Sequence, residues 1–235
     1  LKKLALAGNQ LSALPDSMAQ CQALGLVRLS LNQFTAFPDW LFRLPKLAWL
    51  AIGANPAAPV SQHSTIPDQP FTDYQLAEQL GVGASGTIYL AQHKSDPPPV
   101  AIKLFKGWLT SDGCPKEELA NALNAGLHRN LIPILANLTG LELPGLVMAL
   151  IPKDYQNLGM PPSFSSITRD TFHAGFTVSA TRITHWAQQL SSVMAHLHQQ
   201  RICHGDLYAH NMLVNDQGHL YLGDFGAATA LEGLP

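Results

Sequence analysis

His204-Gly205-Asp206-Leu207-Tyr208-Ala209-His210-Asn211 is followed, thirteen positions after Asn211, by Asp224 in Gly223-Asp224-Phe225-Gly226. Between the two stretches lie Met212-Leu213-Val214 and Leu220-Tyr221-Leu222, on either side of Asn215-Asp216-Gln217-Gly218. Two short apolar runs around a turn-rich tetrapeptide predict a hairpin, and a hairpin brings its ends together, so Asn211 and Asp224 should face one another. Taken singly, Asp206, Asn211 and Asp224 each read as turn residues. Their joint spacing points instead to one group of oxygen-bearing side chains gathered at the open end of that hairpin. Upstream, Ile183, Trp186, Ala187, Leu190, Val193, Met194 and Leu197 recur at helical spacing and predict a buried amphipathic helix that delivers the chain to His204.

Earlier still, Gly81-Val82-Gly83-Ala84-Ser85-Gly86-Thr87-Ile88 lies between two strand-like segments, Gln75 to Leu80 and Thr87 to Gln92, which makes it the tip of a hairpin. Its glycines let backbone N–H groups come close to a phosphate chain without side-chain collision. A dinucleotide-binding turn uses the same letters but needs a helix after the loop, whereas here a strand follows. Val100-Ala101-Ile102-Lys103 is an apolar run closing on a cation, which alone reads as a surface lysine at a strand end. Pro115 to Leu127 predicts a helix bearing Glu117 and Glu118, and Leu146-Val147-Met148-Ala149-Leu150-Ile151 predicts a fully buried strand. In this order the glycine loop, Val-Ala-Ile-Lys, His-Gly-Asp with Asn211, and Asp-Phe-Gly resemble the protein kinase family, from about Phe71 to the end of the chain.

That resemblance implies an α+β bilobal fold that binds ATP with Mg2+ and transfers the γ-phosphoryl group to a protein hydroxyl, serine or threonine. It places Gly81, Val82, Gly83, Ala84, Ser85 and Gly86 over the triphosphate, Ile88 and Ala101 beside the adenine, Met148 behind it and Leu213 below it. The backbones of Ala149 and Ile151 would bond the base. Lys103 would pair with the α- and β-phosphates and with a helix carboxylate. Glu118 is the expected partner, because its distance from His128-Arg129-Asn130-Leu131 suits that role better, although one turn of helix leaves Glu117 open. Asp206 would accept the hydroxyl proton, and Asn211 and Asp224 would hold magnesium.

Three features depart from the family pattern. Gly205 stands where an arginine is usual, so no cation there reads a phosphate on the activation segment. Tyr208 and His210 occupy the positions where serine/threonine-type and tyrosine-type kinases place a lysine or an arginine. The sequence reaches Pro235 without an Ala-Pro-Glu-like motif, so the lower lobe is expected to be truncated. His-Gly-Asp also resembles kinase-fold small-molecule phosphotransferases, and a pseudokinase scaffold that binds nucleotide without turnover is the third alternative.

At the other end, Leu1-x-x-Leu4-x-Leu6-x-x-Asn9-x-Leu11 is echoed by Leu24-x-x-Val27-x-Leu29-x-x-Asn32-x-Phe34 and by Leu47-x-x-Leu50-x-Ile52-x-x-Asn55, with starts 23 residues apart. Asparagines and prolines (Pro15, Pro38) recurring at fixed offsets argue against a plain amphipathic helix. The period and pattern resemble the leucine-rich repeat, which implies an α/β solenoid segment over 1–55 with a protein-binding concave face. The proline-rich stretch 56–70 reads as a linker, leaving 71–235 as the kinase-like domain.

Composition narrows the rest. The chain has 235 residues, 46% hydrophobic and 13% charged, with a formal net charge of −2, which gives no electrostatic case for nucleic acid or an anionic membrane. Three widely spaced cysteines argue against a disulfide framework and fit a cytoplasmic location. No apolar run is long enough for a membrane span. His196, His198, His204 and His210 lie close in sequence but lack the thiolate or carboxylate that would complete a zinc pattern. Because the first residue is Leu1, partway through a repeat, the chain is expected to be a piece of a longer protein.

Overall fold

The computed structural model describes residues 1–58, 65–83, 85–95, 98–110, 112–161, 163, 165 and 170–231. Strands β1 (Lys3–Ala5), β2 (Leu26–Arg28) and β3 (Trp49–Ala51) form a parallel sheet in chain order. Lys3 lies opposite Leu26 and Leu26 opposite Trp49, so the 23-residue interval of the sequence is the register of the sheet. The same interval governs the backbone: Gly8, Leu31 and Ala54 are all left-handed, with φ of 71°, 58° and 54°. For leucine and alanine this conformation is sterically costly. The asparagine that follows each offsets the cost. Asn32 Nδ2 donates to the carbonyls of Leu6 (2.9 Å) and Leu29 (2.8 Å), and its Oδ1 accepts from the Leu11 amide (3.0 Å). Asn55 repeats the pattern with Leu29, Ile52 and Phe34.

A short 3-10 turn (Asp16–Gln20) and helix α1 (Asp39–Phe42) begin directly after Pro15 and Pro38, whose φ of −62° and −70° set the return path. Strand side chains alternate between two faces. Val27, Leu29 and Ile52 join Leu24, Phe34 and Leu41 in one core. On the other face, Leu26, Trp49 and Ala51 are buried together with Ala227, a residue just after the Gly-Asp-Phe-Gly motif.

The second sheet has six strands: β4 (Asp68–Pro70), β5 (Tyr74–Val82), β6 (Gly86–His93), β7 (Val100–Phe105), β8 (Ile134–Thr139) and β9 (Gly145–Ala149), in the order β4-β8-β9-β7-β6-β5. Strand β4 lies inside the stretch that composition marks as linker. It is an edge strand, where Pro70 can sit without withholding a ladder N–H. Helix α2 (Pro115–Asn124) crosses between β7 and β8 and stops three residues before the expected Leu127, because Gly126 turns left-handed (φ 67°). The run Leu146–Ile151 is not the fully buried strand its composition predicts. Ala149 pairs with Val100, the first residue of β7, so beyond it the ladder has no partner, and Met148 and Ala149 are only half-buried.

Further along come β10 (Gln156–Asn157), α3 (Ala180–Gln199), β11 (Ile202–Cys203), β12 (Met212–Val214), β13 (Leu220–Leu222) and β14 (Thr229–Ala230). Ser179 caps α3, its hydroxyl accepting from the Arg182 amide at 3.3 Å. The helix is buried only from Gln189 onward: Val193 and Leu197 pack with Ile202, Met212, Leu220 and Leu222, whereas Ile183 and Ala187, expected inside, are exposed. Hydrogen bonds hold the hairpin instead. Buried Gln189 donates to Gly218 (2.8 Å) and accepts from the Leu220 amide (2.9 Å) and from Asn130 Nδ2 (2.7 Å). A search for apolar periodicity passes over a glutamine.

Candidate functional site

The tip of the β5–β6 hairpin closes on itself, with the Gly83 amide donating to Gly86 at 2.8 Å. It rests on β7, where the Lys106 amide donates to Ser85 at 2.9 Å. Gly86 is needed for this approach, since a Cβ there would lie 2.6 Å from the Leu104 carbonyl and 3.2 Å from Lys103 Cε. At Gly81 the equivalent space is open. Val82 is exposed and Ala84 lies outside the described residues. Ile88 is in register with Lys103, and Ala101 lies between Leu90 and Met148. Ile88, Lys103, Ala101 and Met148 therefore share one face of the sheet. Ile151 is half-buried past the end of β9, and the Ala149 amide is committed to the Pro133 carbonyl at 2.9 Å.

Lys103 Nζ is hydrogen-bonded to Glu118 Oε1. Glu117 points elsewhere, accepting from the Ala54 amide at 2.5 Å. Glu118 is 5% exposed, and burial raises its pKa against the opposing pull of Lys103, with the charge of Asp224 adding to the rise. Ser85 Oγ donates to the same carboxylate at 3.4 Å.

The second half of the site hangs on β11 through β14. His204 is fully buried, burial lowers its pKa, and its Nε2 lies 3.0 Å from the Gly223 carbonyl. The Gly223 amide in turn donates to the Asn211 carbonyl at 3.0 Å, so two contacts lock the two motifs edge to edge. Asn211 Nδ2 donates to the carbonyl (2.9 Å) and to Oδ2 (3.0 Å) of Asp206. Burial pushes the Asp206 carboxyl up to about 7, Asn211 opposing the shift and Asp224 adding to it. Asp224 is exposed and left-handed, with φ of 57°, and its own Oδ1 accepts from the Gly226 amide at 2.9 Å. A non-glycine residue held there stores strain of the kind that collects at functional sites. The negative charge of Asp224 is felt by both Glu118 and Asp206, so the Lys103–Glu118 and Asp206–Asn211 pairs both lie within electrostatic reach of this carboxylate. Leu213, on β12, is half-buried and lies opposite Tyr221.

Two neighbours escape a reading by motif. Asp170 accepts from the Ala209 amide at 2.7 Å and holds the loop after Asp206, although it lies in a polar stretch with no periodic signal. Trp49 of β3 lies on Tyr208, with ring centroids 6.1 Å apart.

The protein kinase domain family matches residues 74–234 of this chain. The chain belongs to the protein kinase family. Similar proteins include a probable cyclin-dependent serine/threonine-protein kinase of Dictyostelium discoideum, 26% identical over 158 residues that cover 67% of this chain and 23% of the relative. Aurora/IPL1-related protein kinase 2 of Caenorhabditis elegans is 28% identical over 162 residues, covering 66% and 48%. Probable cyclin-dependent kinase 9 of Schizosaccharomyces pombe is 29% identical over 167 residues, covering 68% and 27%. The chain thus spans between about a quarter and about half the length of these kinases. Among the described residues of this kinase chain, no helix is long and apolar enough to cross a membrane.

Proposed function

We propose that the full-length protein transfers the γ-phosphoryl group of ATP to a protein hydroxyl, serine or threonine; the similar Dictyostelium discoideum protein is a probable cyclin-dependent serine/threonine-protein kinase. The observation that carries this reading is the pairing of Lys103 with Glu118 and of Asp206 with Asn211, both within electrostatic reach of Asp224. The residues fit the groups the family uses. The space over Gly81 is open to a triphosphate, and Asn211 and Asp224 offer the hard oxygen donors that magnesium prefers. With its nitrogen committed to Asp206, Asn211 would present its oxygen to the cation. Magnesium, when bound, supplies charge neutralisation at the phosphates.

Lys103, held by Glu118, would orient the α- and β-phosphates. Gly81, Val82, Gly83, Ala84, Ser85 and Gly86 would lie over the phosphate chain, and Ile88, Ala101, Met148 and Leu213 would enclose the adenine. Because its amide is taken by Pro133, Ala149 would read the base through its carbonyl, with Ile151 supplying a second backbone contact. Asp206 would receive the acceptor's hydroxyl proton, and its raised pKa suits a proton acceptor near neutrality.

In this reading residues 1–55 are a leucine-rich repeat array and 71–235 a kinase domain. The period-23 register and the buried asparagines support the array. A protein partner of the repeats would bind a surface other than Arg28, Ser30 and Trp49, which already contact Asp112, or would displace that contact. The free thiols Cys21, Cys114 and Cys203 support a cytoplasmic setting.

The test is magnesium-dependent transfer of labelled γ-phosphate by the full-length protein, with protein and metabolite acceptors offered together. Labelled protein, lost in Asp206→Asn, supports the reading. Label on a metabolite alone supports the small-molecule alternative, and nucleotide binding without any transfer supports a pseudokinase.

A further inference from the structure

The first turn of α2 carries Glu118, and that turn and the approach to it are also held by the first three strands of the chain. The second half of the helix is fixed by elements of the kinase domain. Ala122 packs with Phe105 and Leu146, and Asn121 donates to the Ala228 carbonyl at 2.7 Å. Just before the first turn lies Asp112, and its carboxylate is gripped by the repeat strands. Arg28 donates to it twice, from Nε at 2.7 Å and from Nη2 at 3.2 Å, and Trp49 Nε1 donates at 3.0 Å. Ser30 Oγ donates to the Asp112 carbonyl at 2.6 Å. On the turn itself, Glu117 accepts from the Ala54 amide at 2.5 Å, in a space that exists because position 53 is glycine; a Cβ there would overlap the Glu117 carboxylate.

These partners share one face. Leu26, Arg28 and Ser30 alternate along β2 and just beyond it, as Trp49, Ala51 and Gly53 do along β3, and both rows face the kinase elements rather than the repeat core. The Arg28 guanidinium is stacked 4.6 Å from the Trp49 ring centre, which fixes its fork toward Asp112. The contact continues under the loop that carries Asp206: the Leu50 amide approaches the Gly205 carbonyl at 3.4 Å, and a Cβ at Gly205 would lie 3.1 Å from the Leu50 carbonyl.

We propose that the repeat strands form a positioning platform in cis: Arg28 and Trp49, acting through Asp112, and the Ala54 amide, acting through Glu117, hold the first turn of α2 where Glu118 meets Lys103. Arg28, Trp49 and Gly53 are positioning residues, since none touches the reacting groups. The proposal rests on reading Lys103 and Glu118 as the pair that fixes ATP. It assigns to the repeats a task inside the kinase domain, distinct from recruiting a partner; at Gly205 the Leu50 carbonyl of the platform adds to the closer crowding by the Ala227 carbonyl.

The test compares Arg28→Glu, Asp112→Arg, the double swap Arg28→Glu with Asp112→Arg, and Gly53→Ala in the full-length protein. Hydrogen–deuterium exchange of the α2 amides is read alongside KM for ATP and kcat. The platform predicts faster exchange in α2 for Arg28→Glu and for Gly53→Ala. It also predicts a rise in KM for ATP of about tenfold in Arg28→Glu, with a smaller change in kcat, in line with couplings of about 5–150-fold between linked sites. The double swap should return both readouts toward wild type. Unchanged α2 exchange in both Arg28→Glu and Gly53→Ala overturns the proposal, as does a swap no better than its single parents. Faster turnover in Arg28→Glu also overturns it, because it would mean that the strands cover the site instead of supporting it. If the wild type transfers no phosphate, the enzymatic reading fails, while the exchange measurement still decides whether the platform holds α2. Gly53→Ala keeps the test open should the charge reversal prevent folding.

Discussion

Gly205→Ala is the substitution whose outcome is most sharply set by the geometry. Gly205 has φ of 77°, and a Cβ built there overlaps the Ala227 carbonyl oxygen and approaches that of Leu50 to 3.1 Å. Two costs add. The left-handed conformation costs an L-residue about 1–2 kcal/mol. Crowding against two backbone atoms costs about 1–3 kcal/mol more, because neither can swing aside like a side-chain tip. The sum, roughly 2–5 kcal/mol, corresponds to a fall in Tm of about 4–20 °C for a chain of this size. Gly107 supplies the control. Its φ is 70°, yet a Cβ there meets nothing within 4 Å, so Gly107→Ala should lose only the conformational part. Both variants are measured by urea unfolding and thermal melts. Equal losses at the two positions would refute the claim that the β3 strand and the segment after Asp-Phe-Gly crowd the loop at Gly205. By the same logic, Gly205→Arg should not improve phosphotransfer.

Further outcomes follow from single contacts. The Asp206 carboxyl is raised to about 7 and must be ionised to accept a proton, so kcat/KM should climb through neutrality, with the rate near pH 6 about one-tenth of the alkaline plateau; a profile flat from acid to neutral pH would contradict this. Asn32→Ala strips partners from the Leu6 and Leu29 carbonyls and the Leu11 amide and should cost roughly 2–4 kcal/mol in urea unfolding. The exposed equivalent Asn9→Ala should cost less than about 1 kcal/mol. Lys103→Met leaves the buried Glu118 carboxylate without its cation and should destabilise by about 3–5 kcal/mol. Adding Glu118→Leu should recover much of that stability without recovering transfer.

Local chemistry made parts of this fold readable. The β12–β13 hairpin was legible because its apolar triplets flank a turn of Asn, Asp and Gly, and the chain returns after Pro15 and Pro38 were legible because proline fixes φ. The juxtaposition of the two motifs around Asn211 followed from the same hairpin. What was hidden depends on distant partners. Strand β4 exists because β8 offers an edge, the end of β9 is set by the start of β7, and the exposure of Ile183 reflects where the hairpin and β11 meet α3. The grip of Arg28 on Asp112 joins residues 84 positions apart, and neither belongs to a periodic pattern. The left-handed backbone at Asp224 carries only a weak signal in residue type, since aspartate adopts that region more readily than most residues but is far from confined to it.

The central claim is that one cleft separates holding the nucleotide from moving the proton, with Asp224 serving the first task and Asp206 the second. The measurement is a titration of the full-length protein with ATP, with and without Mg2+, on the wild type, Asp224→Asn and Asp206→Asn. The account predicts magnesium-dependent binding that is lost in Asp224→Asn and kept in Asp206→Asn, while phosphotransfer is lost in both. Binding that ignores magnesium, or that survives Asp224→Asn unchanged, would contradict it.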